Sequence, residues 1–323
     1  MTGTSPDPPG RRLPVTSRLA GCLILLGLAL PWSGCHNGER AVPAGSGNRG
    51  EEYLVATSAP VHFLVKQLVG DTVDVYLVAP EQPTGTWYPD DQAIDRLQNA
   101  RLVISNGSGL EPWLKNVTLR SDRLLDSTAG LGDDLIPKDQ SRVHRHGPQG
   151  EQSKREFLSG TWLEPRLAMA QARAIDQRLT NLWPERAAEF RKNRQQLDSR
   201  LAPLQQQIQD WKPDSQRNIL DPDDRFAYLL RGAGLKATAL PESGSSPLDV
   251  AGWTETEREI LNNAIVLLPR TADPALAGTL GQFGADTVYL NRMLAADPDL
   301  DYLGETRDNL DRLNRACAES AVD

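Results

Sequence analysis

The chain has 323 residues, 39% of them apolar and 24% charged, with a formal net charge of −8 and a pI near 5.2. That length suffices for two lobes of ordinary size, and Pro and Gly spread without repeats exclude a fibrous or disordered chain. The acidic balance, with no basic face, argues against a nucleic-acid partner.

Residues 1–34 read as a signal peptide. Arg11, Arg12 and Arg18 form a basic start, and an apolar run from Leu19 to Leu30 precedes Pro31-Trp32-Ser33-Gly34-Cys35. The run falls well short of the ~20 residues a membrane-spanning helix needs. Small residues directly before a cysteine resemble a bacterial lipobox, with Cys35 as the lipidated first residue, although Trp32 stands where an aliphatic residue is usual. Leu19-Ala20-Gly21-Cys22 matches the pattern in letters but has no apolar run before it. Cleavage before Cys35 removes three arginines and one aspartate and takes the net charge from −8 to −10. Residues 35–52, rich in Gly, Ser and Pro from Ala41 to Gly50, read as a flexible tether. One acyl chain holds a membrane only marginally, whereas the multiple acylation of bacterial lipoproteins holds it firmly. Cys317 is the only other cysteine outside the signal segment, so no internal disulfide is expected.

Residues 53–183 read as a first α/β lobe. Tyr53 to Thr57 is a buried strand, and Pro60 opens a helix through Leu68. Thr72 to Val78 alternates apolar and polar like a strand. Asp90 caps a helix through Ala100. Leu102 to Ser105 and Leu124-Leu125 are further strands, and a helix runs from Pro165 to Leu182. Residues 184–212 read as a connecting helix. Phe190, Leu197, Leu201, Leu204, Ile208 and Trp211 form its apolar stripe, and Pro203 is expected to kink it. Residues 213–323 repeat the alternation. Strands are expected at 217–220, 235–240, 264–268 and 287–290, and helices at 225–232, 254–263, 274–283 and 302–316. The fold class is therefore α/β: two lobes, each a mainly parallel sheet flanked by helices, joined by a single long helix.

Three segments carry a resemblance. They are Asn106-Gly107-Ser108-Gly109-Leu110-Glu111-Pro112-Trp113-Leu114, Trp162-Leu163-Glu164-Pro165 and Asp224-Arg225-Phe226-Ala227-Tyr228-Leu229. Together they resemble the zinc/manganese solute-binding proteins of ABC transporters, of the cluster A-I type, over residues 53–316. The resemblance implies a metal between the lobes and a permease with its ATPase as partners. It also implies four ligand positions. In this sequence those positions hold Gly85 and Gly160 in place of histidines, Asp223 in place of a third, and Asn291 in place of an aspartate.

Two glycines offer no side-chain donor, while a tight zinc site needs three or four N, S or carboxylate ligands. Asp223 and Asn291 amount to a weak hard-ion site at best, unless Asp90, Asp91, Asp224 or Glu242 is recruited. No tightly bound cofactor is expected, and zinc or manganese only weakly. His36 abuts the anchor, His62 lies in a helix first turn where packing is the commoner role, and His144 and His146 lie in a long polar loop. Trp87 and Trp162 flank the two glycines. With Asp223 and Asp224 they would make a cleft of Gly85, Trp87, Gly160, Trp162, Asp223, Asp224 and Asn291, suited to an organic cation or a chelated metal, unless both indoles simply pack between the lobes. No phosphate loop or nucleophile elbow occurs, so no catalytic residue is expected. The expected function is a monomeric, exported, membrane-anchored solute-binding lipoprotein facing the periplasm or cell exterior, with a degenerate metal site. The alternative is a non-transporting relative acting as a surface interaction or accessory protein.

Overall fold

In the computed structural model, Leu54–Ala56 (β1) and Leu102–Ser105 (β3) are buried along their whole length, as strands covered on both faces must be. The model describes residues 52–81, 87–138, 156–211, 217–241 and 248–318. Cys35, His36, Gly85, Glu242, His144 and His146 lie outside the described residues, as do the signal segment and nearly all of the tether. With Val75–Leu77 (β2) and Leu124–Asp126 (β4), the first two strands make a parallel sheet in the order β2-β1-β3-β4. Helix α1 (Ala59–Val69) follows β1, and α2 (Asp91–Asn99) precedes β3; Asp90 caps α2 by accepting from Ala93 N at 2.8 Å. The second sheet is Ile219–Leu220 (β5), Ile265–Pro269 (β6) and Asp286–Leu290 (β7), parallel in chain order. Helices α5 (Ala227–Gly232), α6 (Glu255–Arg258), α7 (Pro274–Gly281) and α8 (Tyr302–Ala318) alternate with it.

Residues 235–240 do not form a strand. Thr238 N donates to Ile219 O at 2.7 Å, but a single rung is no ladder, and Pro241, lacking an N–H, follows at once. The expected helix at 254–263 is one α turn, started by a Thr254–Glu257 capping box, followed by a 3-10 turn.

Between the sheets the chain forms two packed helices, α3 (Pro165–Leu182) and α4 (Ala187–Asp210). Helix α4 continues through Pro203, which lies inside it. It packs on α1 and α3 of the first lobe and on α8 of the second, so it lies along both. Phe190, Leu197, Leu201, Leu204 and Ile208 are buried in one apolar core with Leu54 and Leu102 of the first lobe and Leu290, Tyr302 and Leu313 of the second. Leu201→Ala or Leu204→Ala should each lower stability by about 2–5 kcal/mol in urea melts. Losses under about 0.5 kcal/mol for both would mean that this stripe is not core.

Polar contacts reinforce the shared core. Glu164, nearly inaccessible, accepts from Arg166 Nε and from Arg231 Nη2 of α5, each at 2.8 Å. Arg166 also donates twice to Asp134, at 2.9 Å each, and Arg231 Nη1 donates to Asp134 O at 2.6 Å. One ion-pair network thus ties the second lobe to the loops of the first.

Candidate ligand cleft between the lobes

The first sheet changes winding direction between β1 and β3. In open parallel sheets, ligands bind beyond the carboxyl ends of the strands at such a switch point. The chain leaves β1 through Thr57 and Ser58 and leaves β3 through Asn106. Thr57 and Ser58, together with Gly109 to Trp113 of the loop that follows Asn106, line a cavity of about 220 Å³. Leu110, Trp113 and Trp87 form its apolar wall, and Arg292 and Leu294, just after β7, close it from the second lobe. Trp87 stands edge-on to Trp113 with ring centroids 5.3 Å apart.

The motif residues brace this cavity. Asn106 is fully buried, and its side-chain oxygen accepts from Gln171 Nε2 at 3.0 Å and Thr161 Oγ1 at 3.3 Å, locking the first motif to the second. Glu111 accepts from Thr57 Oγ1 at 2.6 Å, Asn106 N at 2.8 Å and Gly107 N at 3.1 Å. Burial raises its pKa to about 7 against these stabilising bonds. The folded protein therefore holds a proton here that the unfolded chain releases near its ordinary value of 4.5. Stability from this group is present below about 4.5 and is lost as pH rises to about 7. Glu111→Gln should flatten that part of a plot of unfolding free energy against pH, whatever its effect on the absolute value. An unchanged slope would show that Glu111 titrates normally.

Among the described residues, the family-equivalent positions Gly160, Asp223 and Asn291 do not assemble a metal shell. Gly160 sits at φ +110°, where a side chain would be strained although a Cβ would meet only ordinary contacts at 3.6 Å or more. One of those contacts is Arg225 O, so the second and third segments do come together. Asp223 and Asp224 follow each other in the left-handed region, at φ 62° and 54°. Asp223 is exposed and accepts from Arg225 Nη2 at 2.7 Å. The side-chain oxygen of Asn291 is already used, accepting from Met293 N at 2.8 Å, while Asn309 pairs with the Asn291 backbone at 2.7 and 2.8 Å. Asp90 is committed to capping α2. Among the described residues no three His, Cys, Asp or Glu side chains lie close enough to hold a metal. The donors described at these positions, one exposed carboxylate and one amide, do not by themselves make a zinc shell.

Two further findings bear on the cation-binding expectation. Trp162 is wholly buried and offers no face to a ligand; its Nε1 donates to Arg292 O at 3.0 Å, and its carbonyl accepts from the Tyr302 hydroxyl. It packs between the lobes. The second is Arg292, which lines the cleft. Burial lowers its pKa to about 10, helped by Arg225 and opposed by Asp221 and Asp223, so it stays cationic at neutral pH. A second cation beside it would be repelled. His62, for its part, is buried against the sheet, with Nε2 3.1 Å from Val75 O.

The family model described as zinc-uptake complex component A, periplasmic, matches residues 54–316. The chain belongs to this family. Members of this solute-binding family are not enzymes, and as curated relatives they include the zinc-binding lipoprotein AdcA of Streptococcus pneumoniae. AdcA is 27% identical over 255 residues, which cover 75% of this chain but only 50% of AdcA, so the chain spans half the length of that relative. The high-affinity zinc uptake system protein ZnuA of Bacillus subtilis is 23% identical over 310 residues, 91% of this chain and 94% of that protein. Among solved structures, FpvC of Pseudomonas aeruginosa in complex with Mn²⁺ superposes with a TM-score of 0.71 at 20% identity, over 84% of this chain and all of FpvC. Zn(II)-bound AdcA superposes with a TM-score of 0.64 at 22% identity, over 83% of this chain and 58% of AdcA. Both share the fold of this zinc-uptake family member.

Sequence reasoning missed Arg292 and Ser58 as cleft residues. A signal existed for both, since Ser58 directly follows the predicted strand 53–57 and Arg292 stands two residues beyond the predicted strand 287–290. Gly85 and Glu242 fall outside the described residues. Asp91 lies in the exposed first turn of α2, and Asp224 borders a separate surface recess with Asp221.

Proposed function

We propose that the chain is an extracytoplasmic solute-binding lipoprotein of a metal-type ABC transporter whose metal site has degenerated. The family match over residues 54–316 carries this reading, together with a cleft at the switch point. Cys35 anchors the protein to the outer face of the membrane, residues 35–52 tether it, and the monomer docks both lobes on a permease fed by an ATPase. The chain catalyses nothing. Its cleft lacks the zinc ligand set and carries Arg292 instead, so its cargo differs from free zinc.

Two measurements test this. Mass spectrometry of the membrane fraction should find the mature chain starting at an acylated Cys35, and Cys35→Ser should move the protein to the soluble fraction. An unmodified cysteine, or a different start, would refute the anchor. With the permease and ATPase in proteoliposomes, the purified protein should stimulate ATP hydrolysis. A lack of stimulation would favour an accessory role without transport.

A further inference from the structure

The first turn of α1 faces the same cavity as Arg292. Helix α1 has 11 residues, and its N-cap Ser58 makes no side-chain capping bond. Ser58 lines the cavity, and its hydroxyl is buried with no hydrogen-bond partner among the described residues. Buried hydroxyls are seldom left so, because an unmade bond costs the full desolvation of the group. Across the cavity the Arg292 Nε is likewise buried without a partner among the described residues. An unused cap oxygen, a helix N-terminus with orphan N–H groups and a guanidinium with an unpartnered Nε form a trap for negative charge. Glu111, the carboxylate on the same wall, is turned to other work, since its oxygens accept from Thr57, Asn106 and Gly107. The remaining wall is apolar and aromatic, so a bare inorganic anion would leave it wet.

We propose that this cavity binds a small organic carboxylate, its head held by Ser58, the α1 N-terminus and Arg292, its apolar body against Trp87, Trp113 and Leu110. Arg292 can take two carboxylate oxygens in a bidentate pair, and the Ser58 hydroxyl can donate a third bond. The neighbouring indoles accept a flat or branched body of modest size. The proposal identifies the class of cargo for the cleft and rests on the solute-binding reading.

The test is calorimetry on the purified full-length protein with phenylacetate, its neutral isostere phenylacetamide, and inorganic phosphate. Phenylacetate should bind one to one, and phenylacetamide should bind at least about tenfold more weakly, as expected for loss of a charged hydrogen-bonded pair. Arg292→Gln should weaken phenylacetate binding by about tenfold or more, and Arg292→Lys should restore part of it. Circular dichroism confirms that each variant is folded. Equal binding of acid and amide, indifference to Arg292→Gln, tighter binding of phosphate than of phenylacetate, or no binding at millimolar phenylacetate would each overturn the proposal. If phenylacetate binds but the permease is not stimulated, the transport reading alone fails. If the permease is stimulated but no carboxylate binds, this inference alone fails.

Discussion

Trp162→Ala should destabilise the protein by about 3–5 kcal/mol, the range for removing a fully buried large aromatic. The indole is wholly inaccessible, and its Nε1 donates to the Arg292 carbonyl of the second lobe, while the Trp162 backbone carbonyl accepts from the Tyr302 hydroxyl. Removing it leaves a cavity at the junction and an unpaired Arg292 carbonyl. The loss should appear as a lower urea midpoint for one cooperative transition, because both lobes share the core that Trp162 fills. Trp162→Phe should recover most of the volume but not the bond from Nε1. A change under about 1 kcal/mol for Trp162→Ala would mean that the indole is dispensable and the lobes are held elsewhere.

Zinc and manganese should bind the mature wild-type protein no better than weakly. Calorimetry at neutral pH showing a nanomolar one-to-one site in the cleft would falsify this. His144→Ala and His146→Ala belong in the same protein, so that the loop cannot supply a false site. The converse experiment restores the family set with Gly85→His, Gly160→His, Asp223→His and Asn291→Asp. Two features of the fold oppose that variant. Gly160 has a left-handed backbone, which costs a non-glycine residue on the order of 1 kcal/mol, and Arg292 repels a dication. Adding Arg292→Leu should therefore tighten the engineered site further. At about a hundredfold excess over Kd, bound zinc should stabilise the fold by about 2.7 kcal/mol, read as a rise in melting temperature. If neither variant gains metal-dependent stability while circular dichroism shows an intact fold, the four positions do not converge.

Much of this was legible because local signals agreed with burial. Asp90 as a cap, the all-apolar strand at 102–105 and the helix from Pro165 to Leu182 each follow from capping chemistry, continuous hydrophobicity or proline at a first turn. The heptad-like stripe on α4 told which face is buried, but not that the same stripe would be shared by two lobes. Residues 235–240 misled because apolar content alone does not supply a pairing partner. The proposed loss of ligands rests on the letters Gly160 and Asn291. The meeting of Arg292 with Ser58 around one cavity was not legible, since it relates residues more than two hundred positions apart, which no local pattern encodes. Trp162 was ambiguous for the same reason, since a tryptophan beside a glycine reads alike whether it faces solvent or a neighbouring helix.

A receptor built on a hinge announces its cargo by changing outline. Here Leu201, Leu204 and Tyr302 lie in apolar packing common to both lobes, and Glu164 clamps Arg166 and Arg231 across the seam. Swinging the lobes apart would expose that packing at roughly 25 cal/mol for each Å² and break a buried carboxylate out of its pairs. Empty and loaded molecules would therefore show a membrane partner nearly the same silhouette. Such a partner would have to sense occupancy at the mouth of the cleft, around Trp87 and Arg292. Without that local cue, empty molecules would compete with loaded ones for every docking event, and the uptake rate would depend on the fraction loaded rather than on their absolute number.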